Sequence, residues 1–375
     1  LGWTKNHALQ VSTACIYGAG LCWYFIGRQL QWSVERAAIL GLTVVMLDKV
    51  VEAGCLCRAD ALVLLCVSAA LLAFTKRRYL LAGLLAVGGA EIHPIALTAL
   101  FYILAWAWSD RAYLLADKRR TAKQVGWFAA GAALGLGVYV ALHYDALFSG
   151  KFLEVMKGSD KFAGRRRTEL TYLDRHFKWH SHHELLVFCF GALAWLQQKL
   201  WRDNPFPFAA LLCVVGSAFL VSRSNGFYAV MAFPAFAVVC VHALGKAKVL
   251  RAAFLILVLS FMLETHTRVT AHPQFQPDSS AAKLLELVPD DGLPVVGMND
   301  FWFTFRERPF LPGDFHDDYA ALLNTPAWRD VYLLDSSFES NRYVFGRIKR
   351  HLKRHFKATE IGSFKEHGSH TLRVT

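Results

Sequence analysis

A chain of 375 residues that is 55% hydrophobic and only 19% charged departs from soluble domains, where about 25% of residues carry charge. Together with a mean hydropathy of +0.30, this excludes an ordinary soluble enzyme and indicates a membrane protein. The formal net charge of +12 suits contact with anionic lipid headgroups or an excess of Lys and Arg on the cytoplasmic side, and no nucleic-acid partner is expected.

A helix needs about 20 apolar residues to cross a bilayer, and shorter ones are tolerated inside a bundle. Such segments fall at 7–27, 36–51, 60–75, 79–92, 94–109, 126–143, 184–200, 206–222, 227–244 and 252–266. The reading is an α-helical polytopic membrane protein of about ten spans over residues 1–268, with a small extracytoplasmic α/β domain over 269–375. The opening LGWTKNHALQ has neither a basic leader nor a cleavage site and reads as part of a longer chain.

The second and third segments are joined by EAGCLCRADAL, in which Arg58 and Asp60 stand where the third segment begins and Asp48 and Glu52 are spaced i, i+4 before it. Arg58 is suited to hold an anionic head group and Asp60 to orient it or to join a cation site. The competing reading is a pair of charges marking the membrane boundary. Pro94 then breaks the run from Tyr79 to Trp108 into two short helices, leaving Glu91 and His93 at the apex. His93 there is either part of a solvated tip or a group that donates to a phosphate oxygen or moves a proton.

Segment 144–183 is a long outer loop. Phe148, Phe152 and Met156 recur at i, i+4 and i+8, as in a helix lying along the interface. Lys161, Arg165, Arg166 and Arg167 follow, then His176, Lys178, His180, His182 and His183. A guanidinium meets phosphate oxygens bidentately, so the arginines are the better phosphate binders. Histidines 180, 182 and 183 lack a helical i, i+4 pair, and no metal site is assigned to them. The eight cysteines lie outside this loop and outside the tail, and suggest no disulfide framework.

Lys and Arg concentrate in alternate connections, at Arg28 and Arg36, Lys76–Arg78, Arg111–Lys123, Lys199 and Arg202, and Lys246–Arg251. That set is expected to be cytoplasmic, which puts the 144–183 loop and the tail outside. The tail reads as a helix near SSAAKLLELV, strands at LPVVGMN and DVYLLDS, a helix at NRYVFGRIKRHLKRHF and a final strand pair around ATEIGSF and SHTLRVT. The nucleotide-cradling, nucleophile-elbow and zinc-protease motifs are all missing, which argues against ATP-driven transport by this chain alone.

Four stretches in order, STACIYGAGLCWYFIGRQLQWSVERAAILGL, CRADALVLLCVSAALLAF, RRYLLAGLLAVGGAEIHPIAL and SRSNGFYAVMAFPAFAVVC, resemble the GT-C class of integral-membrane glycosyltransferases. The likeness is to its protein mannosyltransferase-like and lipid A aminoarabinose transferase-like branch, and it covers most of residues 5–245. It implies transfer of a sugar from a polyprenyl-phosphate donor to a lipid, glycan or protein acceptor on the noncytoplasmic side of the inner (plasma) membrane. The main catalytic acid of that class lies between its first two spans, so it is expected upstream of Leu1. Asp60 matches a secondary acid, which in parts of the class assists the donor or a divalent cation; no other cofactor is implied. Arg58, His93, Lys161, Arg165, Arg166, Arg167 and His182 are the expected substrate-binding residues. The alternatives are a transporter or flippase of cell-envelope glycan precursors, which calls for polar groups at the bilayer midplane and inverted repeats, and a noncatalytic subunit of an envelope complex.

Overall fold

A computed structural model describes residues 5–55, 59–148, 182–200, 202, 204–220, 230–244, 248–271, 277–297, 301, 304–312, 322–336, 342–357, 359–365 and 371–375. The chain separates into two compact units, a helical bundle over Asn6–Thr265 and a C-terminal unit over His266–Thr375.

The bundle begins with α1 (Lys5–Gln29), α2 (Val34–Met46), α3 (Asp48–Cys55), α4 (Ala59–Thr75) and α5 (Tyr79–Gly88). Two 3-10 turns, Gly89–Glu91 and Pro94–Leu97, lead to α6 (Thr98–Ser109), α7 (Arg111–Ala116), α8 (Lys118–Leu142) and α9 (Tyr144–Phe148). After the 144–183 segment come α10 (His182–Gln197), α11 (Phe206–Leu220), α12 (Phe233–Ala243) and α13 (Lys248–Ala271). A helix therefore occupies each of the ten apolar segments. Among the described residues three helices are long and apolar enough to cross a membrane unaided, at Ala8–Gln29, Lys118–Leu142 and Leu250–Thr267, while stretches such as Ala59–Thr75 and Phe233–Ala243 are shorter.

Segment 36–51 is not one helix. Leu47 adopts extended backbone (ψ 142°) and separates α2 from α3. One turn earlier the Thr43 hydroxyl donates to the Ile39 carbonyl at 2.7 Å, a back-bond that bends helices. Consequently Glu52 to Cys55, read above as loop, belong to α3. The break at His93-Pro94 is present as expected, with His93 extended and Pro94 at the first position of the second 3-10 turn.

Side-chain contacts fix how the helices run against one another. Gly18 meets Leu65 and Trp23 Nε1 donates to Ser68 Oγ at 2.9 Å, so α1 and α4 are parallel. Gly20 faces Gly41 and Gly27 faces Ala37, so α2 returns antiparallel to α1. Phe188 packs on Phe236, Gly191 on Cys240, and Trp195 Nε1 donates to His242 Nδ1, so α10 and α12 are parallel. Tyr102 Oη ties α6 to the start of α12, donating to Met231 O and accepting from Ala235 N.

The closest approach is between α5 and α8. A Cβ on Gly131 would stand 1.9 Å from Leu80 O, and one on Gly83 would stand 2.1 Å from Phe128 O. Gly131 and Gly135 thus form the small-xxx-small ridge by which helices pack backbone to backbone where no hydrophobic effect drives them together.

These contacts define two ends. One holds Arg28, Arg36, Lys76–Arg78, Arg111, Lys118–Arg120 and Arg251, fastened by aromatic and carbonyl partners. Arg36 donates to Val241 O and His242 O at the end of α12, and Arg251 forms two bonds to Glu35 at 3.0 and 2.9 Å. The other end is built from α3, the start of α4, the turns at Gly89–Leu97 and the end of α8. Among the described Lys and Arg side chains of the bundle, Lys49 alone stands there.

The C-terminal unit contains α14 (Pro277–Leu287), β1 (Val295–Gly297), β2 (Phe310–Pro312), β3 (Tyr332–Ser336), α15 (Arg342–His355), β4 (Gly362–Lys365) and β5 (Thr371–Val374). The sheet order is β2-β1-β3-β5-β4, parallel across β2, β1 and β3 and antiparallel across β3, β5 and β4. Alternate residues serve opposite faces. Val295, Leu334 and Val374 join Leu284 and Val288 in one core; Val296, Leu311 and Leu333 join Ile348 and Leu352 of α15 in the other. The helices and strands expected from sequence are present, and β2 is an addition. It is a three-residue edge strand ending in Pro312, and only an edge tolerates proline there.

Candidate functional site

The end opposite the basic one carries the titratable groups that the hydrophobic bundle has least reason to hold. Asp60 lies in the first turn of α4 and is only 5% exposed, and Lys49 on α3 is 2% exposed. Charges are buried only where partners compensate their lost hydration, so both are held by their surroundings rather than facing solvent.

The apex reaches the same end. A Cβ on Gly89 would stand 3.1 Å from Cys66 Cβ. Cys66 is six residues after Asp60, so the turn seats on α4 about 9 Å along its axis from the Asp60 backbone, at ~1.5 Å per residue. His93 Nδ1 accepts from Ile95 N at 3.2 Å, capping the second 3-10 turn. That bond places the neutral ring's proton on Nε2, which makes Nε2 a donor.

Glu91 Oε1 lies 2.7 Å from His143 Nε2. His143 caps the C-terminus of α8 and stands 4.9 Å from the Tyr139 ring. Glu91 Oε2 is buried with no hydrogen-bond partner among the described residues. A carboxylate held through one oxygen by an imidazole, with its other oxygen unmatched, is chemically able to take up or pass on a proton. Among the described residues no group of three His, Cys, Asp or Glu could hold a metal ion.

Of the residues expected from sequence, Asp60 and His93 are thus brought to one end of the bundle. Arg58, Lys161, Arg165, Arg166 and Arg167 lie outside the described residues, as do Phe152 and Met156. His182 is the first residue of α10, and its side chain is likewise outside the described set. No protein-family model, curated protein or solved structure matches this chain.

Two residues here escaped sequence reasoning. His143 meets Glu91 across 52 positions of sequence, a pairing that no local pattern carries. Lys49 sits within VVMLDKVVEAG, where a lone lysine between apolar residues reads as a solvated span end. Its signal was the apolar residues on both flanks.

Proposed function

We propose that the chain is a GT-C-type membrane glycosyltransferase that takes a sugar from a polyprenyl-phosphate donor on the noncytoplasmic side of the membrane. The observation that carries this reading is the sorting of polar groups within the bundle. Lys49, Asp60, Glu91, His93 and His143 gather at one end, and the cationic loops gather at the other. Positive-inside asymmetry makes the cationic end cytoplasmic, which leaves the acid and histidine end facing the lipid-linked donor. The ten apolar segments are the ten spans in this reading, with the short helices covered by their neighbours.

Arg58 adjoins Asp60 in sequence and binds the donor phosphate, with one of Arg165, Arg166 or Arg167 completing the contact. Asp60 orients Arg58 rather than touching the phosphate, since two anions in contact repel. His93 donates from Nε2 to a phosphate oxygen. As the bond to the anomeric carbon breaks, these cations and donors stabilise the charge that grows on the leaving phosphate.

The test is release of polyprenyl phosphate from a labelled donor when the protein is reconstituted with acceptor-bearing membranes. Release coupled to acceptor labelling supports transfer. Movement of intact donor across the bilayer without release favours the transporter reading instead.

A further inference from the structure

An open cleft lies at the α4–α5 turn, lined by Gln29, Thr75, Lys76, Arg77 and Arg78. We propose that it binds the phosphate of an anionic lipid headgroup.

Three consecutive cations border the cleft, and no carboxylate does. None of the three makes an ion pair among the described residues. Lys76 Nζ lies over the Phe25 ring at 4.8 Å. Arg77 lies over the Tyr113 ring at 3.6 Å, and Arg120 stands 3.8 Å from the same ring. Aromatic partners orient a cation without neutralising it, so the charge stays available to an anion.

The backbone adds a second observation. Arg78 N bonds to Ala73 O and Arg77 N to Phe74 O, which closes α4 with a Schellman turn whose left-handed position is Arg77, at φ 61°. Glycine fills that position without steric cost. An arginine there projects its guanidinium from a conformation its own backbone disfavours. Arg78, at the N-cap of α5, makes no side-chain capping bond, so the first N–H groups of α5 add positive potential to the same cleft.

The apolar surroundings select a lipid over a free anion. Leu80 and Leu81, the next residues on α5, are 40% and 46% exposed, and Phe25 is 37% exposed. An acyl chain lying on that surface brings its headgroup phosphate to the turn, where guanidinium groups bond its oxygens.

The experiment uses the full chain purified in a neutral detergent and titrated with dioleoyl phosphatidylglycerol or dioleoyl phosphatidylcholine, retained lipid being counted by native mass spectrometry. Phosphatidylglycerol is expected to bind about tenfold tighter or better, the worth of one or two charge-assisted bonds. Lys76→Gln with Arg78→Gln brings the two lipids to near equality, whereas Lys118→Gln with Arg119→Gln, exposed cations outside the cleft, leaves the preference intact. Arg77→Gly separates binding from folding: the thermal midpoint stays or rises while phosphatidylglycerol affinity falls. Equal retention of both lipids by the unaltered chain overturns the proposal. So does an equal loss in the Lys118 and Arg119 control, or displacement of phosphatidylglycerol by millimolar inorganic phosphate.

Discussion

Placing alanine at Gly131 attacks the tightest seam in the bundle, and the size of the effect follows from distances. The new Cβ would stand 1.9 Å from Leu80 O, 2.8 Å from Leu80 C and 3.0 Å from Leu84 N, whereas ordinary contact begins near 3.4 Å. All three atoms are helix backbone, so no side chain can turn aside. The seam must open by about 1.5 Å, the difference between 3.4 and 1.9 Å. A gap of roughly 0.5–1 Å already forfeits a quarter to a half of each dispersion contact, and overpacking of this kind costs about 1–3 kcal/mol or more. Gly137, on the same helix, has nothing among the described residues within 4 Å of its Cβ position. Gly137→Ala should therefore be neutral or stabilising by up to ~1 kcal/mol. The two variants are compared by unfolding in mixed detergent micelles, with helix content followed by circular dichroism. Equal midpoints for Gly131→Ala and Gly137→Ala would refute the backbone-to-backbone crossing of α5 and α8.

In the C-terminal unit, the Tyr332 hydroxyl donates to Asp291 Oδ2, and this bond, with help from Leu293 N and Arg308, holds the Asp291 carboxyl below its usual value. A depressed carboxyl contributes stability that is full above its unfolded value, about 3.9, and is lost as pH falls through the lower folded one. Tyr332→Phe should accordingly move the acid limb of the stability profile to higher pH, and an unmoved limb would contradict the pairing. Burial, followed by the Asp291 bond, pushes the Tyr332 hydroxyl up to about 12, so its stabilising contribution is full below the usual tyrosine value and disappears as pH rises through about 12; ultraviolet titration should find one late tyrosine that vanishes in Tyr332→Phe. Single cysteines at Arg119 and Leu285, in a cysteine-free background, should react with an impermeant maleimide from opposite sides of the membrane, and labelling of both from the same side would contradict the proposed topology.

The helices of the bundle were legible because apolar runs separated by charged turns dominate residues 7–266, and Pro94 announced the break at the apex. In the tail, short apolar runs at Val295–Val296 and Val331–Leu334 marked β1 and β3, and the helical spacing of Ile348 and Leu352 marked α15. What stayed hidden depends on contacts distant in sequence or on backbone geometry. The run GLTVVMLDKVV gives no hint that the chain turns at Leu47, because the back-bond of Thr43 to Ile39 is invisible in composition. Strand β2, within RPFLPG, is hidden by Pro309 before it and Pro312 at its end, and takes its place through pairing with β1. At the candidate site, the polar types at Asp60, Glu91 and His93 were evident. The burial of Lys49 and Asp60 and the arrival of His143 beside Glu91 were not, since each is set by packing between helices.

Equilibrium binding of a tritiated polyprenyl phosphate to the purified chain tests the proposed donor site most directly, with the corresponding polyprenol as the control that lacks the phosphate. The expected result is saturable binding that needs the phosphate and that Arg58→Ala weakens about ten- to a hundredfold, the value of a charge-assisted contact of roughly 1.5–3 kcal/mol. Lys76→Gln with Arg78→Gln, at the far end of the bundle, should leave it unchanged. Equal binding of polyprenol and its phosphate, or full affinity in Arg58→Ala, would contradict a phosphate site at the start of α4.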